Sequence, residues 1–471
     1  MERLKREKVS YVNKCGIFRN KTQYFESQYD EIYKSRLTVL QEVIKAKLTE
    51  EEQGKLAHVS ELAPSQTHHG TDDGADAQEK PAAAPEERIV IGTLYKELPA
   101  MPNLLKEYAA AKVISGFRWA ENKKYTSEGD TLWVEDLTGR IKLNAPADVV
   151  DAYVTGVVVA VRGVFAPPNE FVVSEITPCG VPKTHMAIEA APATAGGEDV
   201  KMEVEHKRYV LIVSGINAGD PQNNPICAEL LGDWVAGRIG SDEDKQLAAS
   251  VAHVIVAGNS VYSKKGDESS GENAFIMQAQ KRVVESILPR TSELEAILSS
   301  MAATCQVDLM PGPSDPANSS IPQQPMKRFL FPAVGQLGSL EFVTNPYCAG
   351  IGGKSFLGTS GQNIDNVVRT SGVATRVAAL RATLEFEHIA PTAPDTLECF
   401  PVSMESGDPM IIRECPDVYF AGNQPAFETE VVVSQDGIPT RLIAVPSFSA
   451  THTVVLVDLD TLEPRTMTFD A

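Results

Sequence analysis

The sequence contains no Cys-x-x-Cys pair, and its seven cysteines (Cys15, Cys179, Cys227, Cys305, Cys348, Cys399 and Cys415) are scattered and odd in number. That pattern excludes a zinc knuckle and a disulfide framework, and it leads us to expect reduced thiols in an intracellular protein. Positive charge is scarce as well. Lys and Arg number 43 against 63 Asp and Glu, a formal net charge of −20, with a pI near 4.9. Coating nucleic acid takes clustered cations, so this balance argues for a protein partner rather than direct DNA binding. Long apolar runs are missing too. The richest, residues 154–165, is too short to span a bilayer, and the N-terminal MERLKREKVS is charged where a secretion signal needs an apolar centre. The expectation is a protein neither secreted nor membrane-spanning.

What is present divides into five stretches. Residues 1–48 carry Tyr24, Phe25, Tyr29, Ile32, Tyr33, Leu37, Leu40, Val43 and Ile44 at roughly helical spacing, which predicts an amphipathic helix in need of a surface. Its basic start (Arg3, Lys5, Arg6, Lys8) reads as a solvated end. Residues 49–87 turn acidic and polar, with Glu50, Glu51, Glu52, Asp72, Asp73 and Asp76 and few large apolar side chains, which predicts a disordered insertion. His68 and His69 within it lack further ligands at metal spacing. Residues 88–183 hold short strands with alternating apolar positions, best buried as a small barrel resembling an OB-fold. Lys and Arg there are roughly balanced by acids. Phe117, Trp119, Trp133, Phe165 and Phe171 are explained as barrel core, not as a base-stacking groove. Residues 184–205 form an Ala- and Gly-rich linker. From 206 to 471 the pattern changes to buried strands at 209–215, 253–259, 305–312, 354–361 and 417–423, with helices at 227–239, 273–284, 292–304 and 363–368. The fold class expected is α/β plus all-β.

The segment 356–369, FLGTSGQNIDNVVR, runs from an apolar strand through a Gly-rich turn into a helix start, a geometry able to hold a phosphate or a metal-bound water. Each of the other four buried strands also stops at a polar, glycine-containing turn, which predicts loops gathered at one rim of an α/β sheet. Those five turns resemble the metal-binding turns of calcineurin-like metallophosphoesterases. Such two-metal hydrolases need carboxylates and imidazoles to hold both ions and to acidify a bridging water. Here Gly215 and Asn217 replace Asp and His in the first turn, and Asn259 and Tyr262 replace two aspartates in the second. Pro313 and Ser314 replace Asn and His in the third, which keeps Asp315. Ser360 stands at the fourth turn's histidine, and Asn423 and Pro425 at the fifth turn's two histidines. A donor set of this kind cannot cage two metals, so the resemblance implies a degenerate site with no catalytic residue, metal or cofactor.

A barrel of OB type ahead of an inactive phosphoesterase-like domain, a two-layer β-sandwich flanked by helices, resembles the family of small regulatory (B) subunits of DNA polymerase delta. The stretches that carry the likeness are GTLYKELPAMPNLLKEY (92–108), VSGINAG (213–219), MPGPSDPANSSIPQQP (310–325), NPYCAGIGGKSFLGTSGQNIDNVVR (345–369), HIAPTAPDTLECFP (388–401), ECPDVYFAGNQPAF (414–427) and VPSFSAT (445–451). The resemblance implies a nuclear, non-catalytic scaffold. One surface would grip the Cys-rich C-terminal domain of the catalytic subunit and another the third subunit, which helps engage the sliding clamp. Apolar strand segments and the loop IPQQPMKRFLFP (321–332) are the candidate sticky surfaces. Two other readings compete with it: an active phosphodiesterase or nuclease using Asp315, Asn259 and Asn423 with an ion, and an autonomous single-strand binder, which would require the basic aromatic groove this sequence lacks.

Overall fold

Backbone pairing begins far from where the sequence suggests. In the computed structural model, which describes residues 6–20, 28–62, 86–102, 124–188, 207–263 and 273–470 apart from 403 and 405 (backbone only for 273–287), the N-terminal segment opens with a strand, β1 (Tyr11–Asn13). It pairs antiparallel with residues 349–351. The amphipathic helix follows as α1 (Asp30–Lys45), so the segment is strand and helix and not helix alone; Tyr24 and Phe25 lie outside the described residues.

The reading of 49–87 as disordered is corrected over its first part. Thr49 caps a short helix, α2 (Glu50–Gln53), in a capping box with Glu52. The three glutamates therefore sit in a helical first turn, where the N-terminal dipole favours negative charge. Residues after it join the barrel, Ala57 N–H donating to Ile89 O at 3.0 Å and Ile89 N–H to Lys55 O at 3.0 Å. His68, His69, Asp72, Asp73 and Asp76 lie outside the described residues, as do Phe117, Trp119 and most of the 184–205 linker.

Five strands, β2 (Glu87–Glu97), β3 (Thr131–Glu135), β4 (Arg140–Asn144), β5 (Val158–Ala166) and β6 (Glu170–Pro178), close into a barrel in the order β2-β3-β4-β6-β5, with α3 (Ala147–Ala152) between β4 and β5. Alternate residues face inward as the period-2 pattern requires: Val90, Leu94, Leu132, Val134, Val159, Val161 and Phe171 are all buried. Gly163 marks a register shift in β5, where a Cβ would strike the Val172 carbonyl oxygen. Trp133 is not core. It lies on the outer face beneath the Arg140 guanidinium, 5.1 Å from the ring centroid.

The remainder forms two six-stranded sheets. One contains β7 (Tyr209–Val213), β8 (Val251–Ala257), β9 (Gln306–Met310), β10 (Leu340–Phe342), β16 (Thr453–Asp458) and β17 (Pro464–Thr468). The other contains β1, β11 (Tyr347–Ile351), β12 (Lys354–Thr359), β13 (Val418–Gln424), β14 (Glu428–Val433) and β15 (Pro439–Pro446). Ile212, Ile255, Phe356, Phe420, Ile443 and Val455 pack in one cluster between them. Helices α4 (Pro225–Val235), α5 (Asp242–Ser250) and α6 (Asn273–Ala302) accompany the first sheet, and α7 (Gln362–Thr370) and α8 (Arg376–Glu385) the second, with α9 (Phe448–Thr451) between β15 and β16. The stretches 273–284 and 292–304, read as two helices, are one helix with Pro289 inside it. The five buried strands are also divided, three in the first sheet and two in the second, so their turns do not share one sheet's rim.

The barrel and the sandwich meet at Arg36 of α1, 1% exposed. Its guanidinium donates to Asp408 Oδ2 at 3.2 Å and to the carbonyls of Gly156 (3.1 Å), Pro391 (2.8 Å) and Ala393 (3.0 Å), which ties helix, barrel and C-terminal loops at one point. No helix among the described residues is long and apolar enough to cross a membrane, and all seven cysteines are buried free thiols.

Candidate functional site

The turns that end β7, β8, β9, β12 and β13 converge although they belong to two sheets. Gly215 N–H donates to Gly258 O (2.9 Å) and Asn217 N–H to Asn259 O (3.0 Å), joining the first two. Ser314 donates from both its N–H and its hydroxyl to Asn259 Oδ1 at 3.1 Å, which brings in the third. Asn423 Nδ2 donates to Ser360 O at 2.8 Å, and its N–H to Ser214 Oγ at 2.8 Å, closing the fifth turn on the fourth and the first. Seven of the ten positions singled out in the sequence are thus neighbours: Gly215, Asn217, Asn259, Ser314, Asp315, Ser360 and Asn423. Three are not drawn into this bonded ring. Pro313 and Pro425 are exposed, and Tyr262 turns aside beneath the Arg290 guanidinium, 5.2 Å from the ring centroid.

Local chain geometry explains why small and amide residues stand here. Asn217, Asn259 and Asn423 all adopt left-handed backbone, φ 49°, 53° and 57°, a conformation that asparagine tolerates better than most non-glycine residues. Gly215 is left-handed as well, and a Cβ on it would collide with Ser447 Oγ and come within 2.7 Å of Asn423 Oδ1. A carboxylate side chain at that position has no room.

Asp315, the one carboxylate among these positions, points inward. It is 6% exposed; Oδ1 accepts from Ser260 and Val261 N–H and Oδ2 from Gly312 N–H, each at 2.8 Å. Burial pushes its pKa up to about 7 against the pull of those backbone donors. Its oxygens are spent on the chain's own backbone. Among the described residues no group of three or more His, Cys, Asp or Glu side chains could hold a metal ion. Among the described residues, the side chains that meet at the convergence are serine hydroxyls (Ser214, Ser314, Ser360, Ser449) and amides (Asn217, Asn259, Asn423), with Asp315 beside them, and they are joined by hydrogen bonds.

Several contributors were not singled out by sequence reasoning. Asn345 donates to Ser360 Oγ (2.9 Å) and Gln323 Oε1 (2.8 Å) and accepts from Ser360 N–H (3.1 Å), while Asn217 Nδ2 donates to Ser449 Oγ (2.8 Å). Asn345, Gln323 and Ser449 lie in NPYC, IPQQP and VPSFSAT, so the signal was a cluster of polar residues inside otherwise apolar stretches. The loop 321–332 is accordingly only partly a surface. Gln323, Met326 and Phe331 are buried, and Phe329 projects at 78% exposure.

Comparison with known proteins agrees with both halves of the chain. Residues 28–176 match the family model described as the DNA polymerase delta subunit OB-fold domain, and residues 210–429 match that of the DNA polymerase alpha/epsilon B subunit. The chain is 36% identical over 384 residues to the DNA polymerase delta small subunit of Arabidopsis thaliana, covering 82% of each protein. It is 31% identical to that of Oryza sativa subsp. japonica, across 95% of this chain and 94% of the relative. The chain belongs to the family of DNA polymerase delta small subunits. Another family member, the DNA polymerase delta subunit 2 of Drosophila melanogaster, is 31% identical across 98% of both chains, so the likeness runs through barrel and sandwich alike.

Proposed function

We propose that this protein is the non-catalytic accessory scaffold of a DNA polymerase delta assembly, its barrel an OB-fold and its sandwich an inactive calcineurin-like phosphoesterase domain. It bridges the Cys-rich C-terminal domain of the catalytic subunit and the third subunit during DNA synthesis in the nucleus, and reaches the sliding clamp only indirectly. The observation that carries the non-catalytic reading is Asp315: the only acid retained at the five turns gives its oxygens to three backbone N–H groups, and Gly, Asn and Ser stand where a two-metal hydrolase needs ligands. The net charge of −20 supports protein partners over direct contact with DNA.

The test is co-expression of the full chain with the catalytic subunit's C-terminal domain, followed by size-exclusion chromatography and a Mn²⁺-dependent phosphodiesterase assay on the same fractions. Co-elution without hydrolysis is expected. Hydrolysis that tracks the free chain, without co-elution, would reverse the assignment. Asp315→Ala is expected to leave the polymerase activity per assembled complex unchanged.

A further inference from the structure

The last strand of the second sheet is left open. Among the described residues β14 pairs only with β15, in unbroken antiparallel register from Glu428↔Ala444 to Val433↔Pro439, and its outer backbone edge has no strand beside it. Edge strands are ordinarily blunted by lysine, proline or a bulge. β14, ETEVVV, has none of these. Its two faces differ. Glu428, Glu430 and Val432 turn toward α8, Glu428 accepting Val377 N–H at 2.9 Å and Glu430 pairing with Arg381. Val431 and Val433, on the other face, are 42% and 57% exposed.

We propose that the β14 edge receives an extended cationic segment of a protein partner as a further strand. The backbone donors and acceptors give the affinity, and β-branched or aromatic residues at alternate positions of the incoming strand pair across to Val431 and Val433. Charge selects the occupant. Of the charged residues from 428 to 439, all acidic, Glu430 is paired with Arg381, and Arg441 lies opposite Val431, so Glu428 and Asp436 are the acids that no ion pair among the described residues compensates. A second copy of this chain would set those acids against their own kind, with −20 on each molecule; a Lys- or Arg-bearing strand is attracted to them. The proposal rests on the scaffold reading, since it needs a partner within the polymerase assembly.

Hydrogen–deuterium exchange of the full chain, free and in the reconstituted polymerase delta complex, tests it. Exchange at 428–433 is expected to slow by on the order of tenfold or more on assembly. The double variant V431K/V433K is expected to lose one partner subunit from the complex while melting as the wild type does. Unchanged exchange at 428–433 in a complex that does form overturns the proposal and leaves the scaffold reading standing. Self-association of the free chain through this edge overturns it too, and failure of the wild-type chain to assemble overturns both. If the double variant folds poorly, the exchange of the wild-type chain alone decides.

Discussion

Two buried carboxylates, Asp408 and Asp315, are handled in opposite ways. Asp408 lies in a charged knot. It meets Arg36 at 3.2 Å and His388 Nε2 at 2.9 Å, and although burial raises its pKa, His388 and Arg36 outweigh burial and hold it well below the usual carboxylate range. Asp315 has no cation, only backbone N–H groups, and burial wins. The knot lies where α1, the barrel and the C-terminal loops must be held together. The ring lies where five turns converge, with Gly, Asn and Ser residues beside Asp315. Charge compensation is thus spent on joining parts of the molecule, and the convergence is stabilised by neutral hydrogen bonds.

Arg36→Met is the strongest way to break that contrast. It removes the partner of Asp408 and leaves three carbonyls without their donor, so we expect a loss of about 3–5 kcal/mol, read by urea unfolding of the full chain. Arg36→Lys should recover little, because one ammonium cannot reach a carboxylate and three carbonyls on separate segments. A cost near zero would mean that water takes over the knot and that the junction is not held there.

Asp315→Asn comes next. The amide keeps one oxygen for Ser260 and Val261 but turns an NH₂ toward Gly312 N–H, for an expected cost of about 1–3 kcal/mol. The pH dependence separates the two acids more sharply. The folded pKa of Asp315, about 7, lies above its ordinary 3.8, so its contribution is full below about pH 4 and is lost as pH rises toward 7. The penalty of Asp315→Asn should therefore shrink over that range. At the knot the sign reverses. Burial, then Arg36, lowers His388 from 6.5 to about 4, and its contribution is present above 6.5 and lost as pH falls toward 4, with that of Asp408 following below about 3.8. Penalties for Arg36→Met and Asp315→Asn that move the same way with pH would remove the distinction.

The barrel was legible in the sequence because apolar and polar positions alternate along parts of its strands, and the five turns because each follows an apolar run and holds a glycine, four of them placing a glycine or asparagine (Gly215, Gly258, Gly361, Asn423) in the left-handed conformation. Which sheet each strand joins was not legible. β7, β8, β9, β12 and β13 carry similar continuous apolar patterns, since all are buried on both faces, and periodicity alone cannot assign partners to such strands. β1 was hidden for another reason. Three residues carry too little pattern, and what fixes the strand is remote: pairing with β11 and the Tyr11 hydroxyl donating to Asp308 at 3.0 Å. The acidic stretch at 50–52 misled because composition reports net charge but not the Thr49 cap that turns three glutamates into a helix start.

Ser314→Ala has the smallest expected effect and sharpens the picture of the convergence. The substitution removes one hydroxyl donor from Asn259 Oδ1, but the Ser314 N–H still donates to that same oxygen at 3.1 Å, so the acceptor is not orphaned. A cost of about 0.5–1.5 kcal/mol is expected, the value of one neutral hydrogen bond, with little change between pH 4 and 8 because neither partner titrates. If the cost were several times larger, or rose steeply with pH, Ser314 would be coupled to the protonation of Asp315 one residue away, and the ring would be an electrostatic unit like the knot at Arg36 and not a set of separable neutral bonds.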